Sequence, residues 1–318
     1  GTSISFGTPV VFVSSAPLAI KATYLSGAGK IGIAYYVGSS IKTIIGTVSG
    51  TSISFGTQSD TGATSASVYD CAYHASTSSF IVSFRNPSLS NYGQAKAAVV
   101  SGTSFSSWGS AISFNSANTQ QISMIYDPFR DVSVVCYKDT GCTSSLEVVL
   151  FTLTSGNPTY ISKSFNWNLN LTACGLTAGM AIDSRDNKII VMGDSYNEIK
   201  VTRFQVNADQ YNITIDQATG LATGQYSYYD LSCVYDSNSE KAVLVYSDLS
   251  NPRPMKLIVA TFPVGTANPS LGSVYSIDTV GATDPSAAFD SSQNKVVVVY
   301  EDQTNVNGKT TVFQNASN

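Results

Sequence analysis

Four aspartates recur at one place in a repeated pattern, and carboxylates are groups that bind cations, activate water or protonate a leaving oxygen. Asp127, Asp183, Asp236 and Asp290 each close a short apolar run and open a polar turn. An Asp side chain at such a place accepts backbone N–H groups of the turn. Leu25 and His74 fill the same place in two further copies, so the carboxylate is dispensable and the four read as turn residues, with no metal site. Asp230 and Asp284 differ: each lies six residues before the motif Asp of its own copy, just ahead of the strand that the Asp ends. The matching positions elsewhere are Ala19, Val68, Gln121 and Thr177. Two neighbouring carboxylates there would bind a cation or sugar hydroxyls, or act as the acid/base pair of glycoside hydrolysis, which takes two carboxyl groups. Tyr226, Tyr228 and Tyr229 stand beside Asp230, and aromatic faces stack on sugar rings or anchor protein interfaces. The candidate ligand-binding residues are therefore Asp230, Asp284, Gln121, Tyr228 and Tyr229, each with a plain alternative as a solvated, capping or strand residue. No catalytic residue is assigned.

The elements that would position these residues follow from an internal repeat. Residues 1–8, GTSISFGT, return unchanged at 50–57 and in altered form at 102–106. A period near fifty residues points to a propeller or a solenoid. A second motif confirms it: Cys233-Val234-Tyr235-Asp236, a polar turn, then Lys241 to Tyr246, reads as a hairpin. Copies stand at Ala287–Asp290 with Lys295–Tyr300 and at Met180–Asp183 with Lys188–Met192, with looser ones at 124–135, 71–84 and 22–35. These runs are rich in Val, Ile and Tyr, bounded by Gly, Ser, Asn and Asp, and too short for helices. A third strand follows each hairpin, as at Ala95–Val100 and Leu257–Thr261, and then a fourth of the Ser3–Phe6 type.

Four antiparallel strands per repeat make a propeller blade. The sequence predicts an all-β fold, a six-bladed β-propeller in one domain over 1–318, with repeats at 1–49, 50–101, 102–154, 155–207, 208–263 and 264–318. The chain opens with a fourth strand and ends after a third, Lys309–Phe313. The N-terminal strand is expected to complete the last blade and remove two unpaired edges. Asp230 and Asp284 then fall at one mouth of the channel. Trp108 and Trp167 fall in fourth-strand segments, suited to packing.

Composition narrows the function. Net charge is −4, with no run of Lys or Arg, so nucleic acid, whose binding rests on neutralised phosphates, is not an expected partner. No apolar stretch reaches the roughly eighteen residues of a membrane-spanning helix, and the start carries no basic, apolar leader, although a cleaved one is compatible with it. Only 12% of residues are charged, about half the ordinary share, with Ser, Thr, Gly and Asn solvating instead, as in extracellular β proteins. The five cysteines form no CxxC pair, and the chain's one histidine, His74, makes a zinc site improbable chemistry. Cys142 and Cys174 fall in loops expected on one face, a candidate disulfide. Cys71 and Cys233 read as small buried hydrophobes. Sequons at Asn170, Asn212 and Asn315 are candidate glycan sites in a eukaryotic source. No nucleophile elbow, phosphate loop or dinucleotide fingerprint is present, and no cofactor is implied.

At 46–57 the phrase GTVSGTSISFGT, and at 290–300 the phrase DSSQNKVVVVY, resemble a repeat of microbial and viral surface proteins, phage tail-fibre-like or secreted propellers. The resemblance implies a surface or virion setting with roles in recognition or assembly, and brings no catalytic residues. The expectation is a non-enzymatic extracellular module of a fibre, filament or virion appendage, partnered by its own copies or other surface proteins. The alternatives are a carbohydrate- or receptor-binding head and, behind it, a glycoside hydrolase or lyase.

Overall fold

A computed structural model of the chain describes residues 6–64, 68–139, 146–154, 157–164, 174–195, 198–209, 212–216, 218–222, 231–248, 252–265, 268–279 and 281–314. It is all-β, a six-bladed β-propeller of antiparallel sheets. Among the described residues the one helical element is a 3₁₀ turn at Pro87–Leu89. The first blade holds β1 (Leu18–Leu25), β2 (Lys30–Val37), β3 (Ser40–Ser49), β4 (Ser52–Phe55) and β5 (Ser59–Asp60). The second holds β6 (Tyr69–His74), β7 (Ser79–Asn86), β8 (Tyr92–Ser101), β9 (Ser104–Phe105) and β10 (Ile112–Asn115). The third holds β11 (Thr119–Asp127), β12 (Val132–Asp139), β13 (Leu146–Thr154) and β14 (Asn157–Ser164). These three blades form one compact unit.

The other unit holds the fourth blade, with β15 (Cys174–Asp183), β16 (Lys188–Ser195), β17 (Glu198–Val206), β18 (Ile213–Ile215) and β19 (Thr219–Ala222). The fifth follows with β20 (Leu231–Asp236), β21 (Lys241–Ser247), β22 (Met255–Thr261) and β23 (Ser270–Asp278). The sixth has β24 (Ala282–Asp290), β25 (Lys295–Asp302) and β26 (Asn307–Phe313). The strand expected to complete the sixth blade begins among residues 1–5, outside the described residues.

Each unit builds its core between blades. The second strands β7 and β21 are buried on both faces, which is why they read as continuous apolar runs and not as alternating ones. Ala72 and Ile81 of the second blade meet Ile122, Met124 and Val135 of the third. Ile190 and Met192 of the fourth meet Leu244 and Ile258 of the fifth. Hydrogen bonds from side chain to backbone reinforce the packing: Asp70 Oδ2 accepts the N–H of Met124 at 2.8 Å, and Ser232 Oγ accepts that of Ala287 at 2.9 Å.

The fourth strand departs from the expected single run. In three blades it is broken in two, with β4 and β5 both on β3, β9 and β10 both on β8, and β18 and β19 both on β17. Hydrogen bonds bridge the gaps, as from Gly109 N to Ala97 O. Between β9 and β10, Trp108 packs on Phe80 and Phe105 and donates Nε1–H to Ser59 Oγ at 3.1 Å. The half-buried ring occupies the gap between the two strands.

Candidate functional site

The hairpin aspartates cap turns. Asp127 Oδ1 accepts from Phe129 and Arg130 N–H, Asp236 Oδ1 from Asn238 and Ser239, and Asp290 Oδ1 from Ser292 and Gln293. Asp183 does the same for Arg185 and Asp186, but its other oxygen takes Arg203 Nη1 at 2.7 Å. Arg203 is fully buried, and all five of its N–H groups find acceptors. Nη1 also meets Asp186, Nε meets Asp216, and Nη2 meets the carbonyls of Pro263 and Gly265. Lys188 Nζ completes the cluster on both oxygens of Asp216 at 2.8 Å. Three cations, Arg185, Lys188 and Arg203, face three aspartates, Asp183, Asp186 and Asp216, and Arg185 also meets Glu240 at 3.3 Å. The network clamps the loop after β22 of the fifth blade to the fourth. Sequence reasoning missed it, because no motif marks Arg203 and its partners come from separate places in the chain, Asp183 and Asp186 at one hairpin and Asp216 beyond β18.

His74 takes the motif position at the end of β6 and is buried. Its Nδ1 lies 3.3 Å from both Ser76 Oγ and Thr77 Oγ1 and 3.6 Å from Asp131 Oδ1, and its ring packs on Tyr126 at 4.8 Å. Burial lowers its pKa, against the pull of Asp131.

Three of the positions aligned with Asp230 share a backbone device, which Val68 lacks. Ala19, Gln121 and Asp284 have φ of 45°, 52° and 51°, and each stands at a break in register with the second strand of its blade. A β-bulge re-aims a side chain in this way. Each therefore lies inside its first strand, not ahead of it as expected. Asp284 is exposed, whereas Gln121 Nε2 is buried with no partner among the described residues. The two belong to different units. Asp230, Tyr226, Tyr228 and Tyr229 lie outside the described residues, as do Trp167, Cys142, Asn170 and Asn315. Cys174, expected in a loop, instead opens β15, and with Cys142 outside the described residues the expected disulfide falls outside them too. Cys71 and Cys233 are buried free thiols, as is Cys136. Asn212 is exposed just before β18, and Thr214 of its sequon donates to Asn207 Oδ1 at 2.8 Å.

A groove of about 760 Å³ opens between the outer strands of the fifth blade and β26 of the sixth. Leu257, Val259, Leu271, Ile277 and Phe313 give it an apolar floor. Ser270, Ser273, Thr311, Gln314 and Lys241 bring polar groups to it, and Tyr275, 59% exposed, adds an aromatic face. A second bulge shapes the wall: Ile258 pairs with Val274 and Ala260 with Leu271, so Gly272 and Ser273 together oppose Val259. Lys295 Nζ donates to Gln314 Oε1 at 3.1 Å. Asp278, next along from Ile277, accepts from Tyr300 and Lys309. The volume is that of a small-molecule site, an apolar surface with a few placed polar groups. The repeat motifs include Lys241, Leu257 and Phe313 only as strand positions, so nothing marked the groove beforehand.

No family model and no curated protein matches the chain. Its fold is similar to that of a Lactobacillus plantarum protein, at 8% identity over 94% of this chain and 88% of that one, with a TM-score of 0.62. It is also similar to the NanB sialidase of Streptococcus pneumoniae, at 9% identity over 98% and 70%, TM-score 0.59. A putative oxidoreductase (glucose dehydrogenase) of Thermus thermophilus follows at 11% identity over 89% and 90%, TM-score 0.53. At these identities the likeness is one of fold. The expectation of a non-enzymatic fibre, filament or virion module is corrected here: the named neighbours include a sialidase and a putative dehydrogenase, enzymes and not assembly subunits.

Proposed function

We propose that this protein is a carbohydrate-directed propeller that holds a short saccharide in the groove between β23 and β26. The observation carrying this reading is the lining itself. Tyr275 and Phe313 offer ring faces, and Ser270, Ser273, Thr311 and Gln314 offer hydroxyl and amide groups above an aliphatic floor. A sugar ring presents the complementary surfaces, a C–H face to an aromatic ring and hydroxyls to polar side chains. Two of the similar structures are named for sugar chemistry, a sialidase and a putative glucose dehydrogenase, which supports the same class. An extracellular setting, suggested by the low charge content, suits this reading.

The test is calorimetric titration of the whole chain with a saccharide panel, run beside assays for released reducing ends and for sugar oxidation. Binding that is lost in Tyr275→Ala supports the groove as the site. Turnover of a bound saccharide makes the protein a carbohydrate-active enzyme. Absence of any binding across neutral and charged saccharides overturns the proposal.

A further inference from the structure

Resting on that reading, we infer that the groove selects a saccharide carrying an acetamido group, recognised by Gln314 together with the apolar floor. Leu257 and Val259 of β22, and Thr311 and Phe313 of β26, each lie two apart and share one face of their strand. They therefore meet the ligand as pairs, with Leu271 and Ile277 of β23 closing the floor. A plain hexose offers apolar contact chiefly as one small C–H face, which a single exposed ring such as that of Tyr275 covers. The aliphatic floor goes beyond that need and fits an apolar substituent.

The polar half of the site is set by the Gln314 amide. Its Oε1 accepts from Lys295 Nζ at 3.1 Å. An ammonium group donates and cannot accept, so it takes the amide oxygen and leaves the amide nitrogen turned away from it. Gln314 thus brings N–H donors, and no acceptor, to the lining. The Thr311 hydroxyl, on the same strand face as Phe313, has no hydrogen-bond partner among the described residues. An acetamido group combines a methyl, a carbonyl acceptor and an N–H donor within a few ångströms. The floor takes the methyl, the Gln314 amide donates to the carbonyl oxygen, and the Thr311 hydroxyl accepts the N–H. A sugar with a hydroxyl in place of that group has no methyl for the floor and no carbonyl for Gln314.

The experiment titrates the full chain by calorimetry with matched pairs of sugars, tri-N-acetylchitotriose against cellotriose and N-acetylgalactosamine against galactose. Within each pair an acetamido group replaces one hydroxyl of the ring. Wild type, Gln314→Glu and Tyr275→Ala are compared. A neutral hydrogen bond and one buried methyl are together worth about tenfold or more in affinity. Wild type is therefore expected to bind the acetamido member of at least one pair about tenfold more tightly than its partner. Gln314→Glu keeps the shape and exchanges the donor for an acceptor. It should erase the margin and leave binding of the hydroxyl sugar in place. Equal affinity within both pairs, with loss in Tyr275→Ala, overturns the acetamido preference and leaves the carbohydrate reading standing. Binding confined to sugars without an acetamido group does the same. A margin that survives in Gln314→Glu overturns the role of Gln314. Absence of binding to these sugars and to the wider panel overturns both readings.

Discussion

Asp70 and Met124 lie fifty-four residues apart in sequence and meet through one hydrogen bond, the Met124 N–H pointing at Asp70 Oδ2 across the join between the second and third blades. The residue aligned with Asp70 in the fifth blade is Ser232, and it makes the same bond to Ala287 N. One side-chain oxygen at this place thus staples one first strand to the next. A buried N–H without its acceptor costs about 1–3 kcal/mol. Asp70→Ala should lose that amount of stability in urea unfolding, and Asp70→Ser, which imitates the fifth blade, should recover most of it. Burial raises the Asp70 pKa against the opposing pull of Lys21, so the ionised carboxylate is held at a cost that the serine avoids. Equal losses in both variants would refute the staple.

Arg203 should tolerate no replacement easily. Arg203→Met leaves Asp183 and Asp216, both buried, short of a cation, and breaking one partner from a buried ionic cluster costs about 3–5 kcal/mol. Arg203→Lys keeps the charge and loses the planar fork that reaches five acceptors. Both variants should show lower urea midpoints; an unchanged midpoint in either would remove the clamp.

Acid should weaken the protein through His74. Burial depresses its folded pKa below the ordinary value, so the native state holds it neutral. The stability this contributes is present above the unfolded pKa, near about 6.5, and is lost as pH falls from there through the folded pKa. No other histidine is present to confuse the measurement. Urea midpoints of His74→Gln should fall less than those of wild type between pH 7.5 and 5. Parallel curves would exclude this titration.

The bulge at Asp284 should reject branched side chains. Its φ of 51° lies in the left-handed region, which costs an L-residue about 1–2 kcal/mol and glycine little. Asp284→Gly is expected to melt at or above wild type, and Asp284→Val below it. Since Asp284 is exposed, packing should not mask the difference, and equal melting temperatures would count against the strain.

The hairpins were legible because their signals are local. Cys233–Asp236 and Lys241–Tyr246 were expected as paired strands, and β20 and β21 run Leu231–Asp236 and Lys241–Ser247. Among the aligned positions, Ala19, Gln121 and Asp284 share one backbone conformation and Val68 does not. That conformation itself was hidden, because alanine, glutamine and aspartate carry no common signal for positive φ. The broken fourth strand was hidden for a related reason: Trp108 is expected to pack from within a continuous strand, and no local signal marks the gap where it stands. The groove was least legible. Lys241, Ser273 and Phe313 stand far apart in sequence and become neighbours only when two blades meet.

Within each unit the apolar clusters are shared property. Ile81 has its cover in Val135, and Ile190 has its own in Leu244, so a blade lifted out alone would carry two greasy flanks and no interior. Such a chain can grow or shrink by whole repeats far more readily than by fractions of one. The literal copy of GTSISFGT at 50–57 is what a duplication in that unit of currency would leave behind.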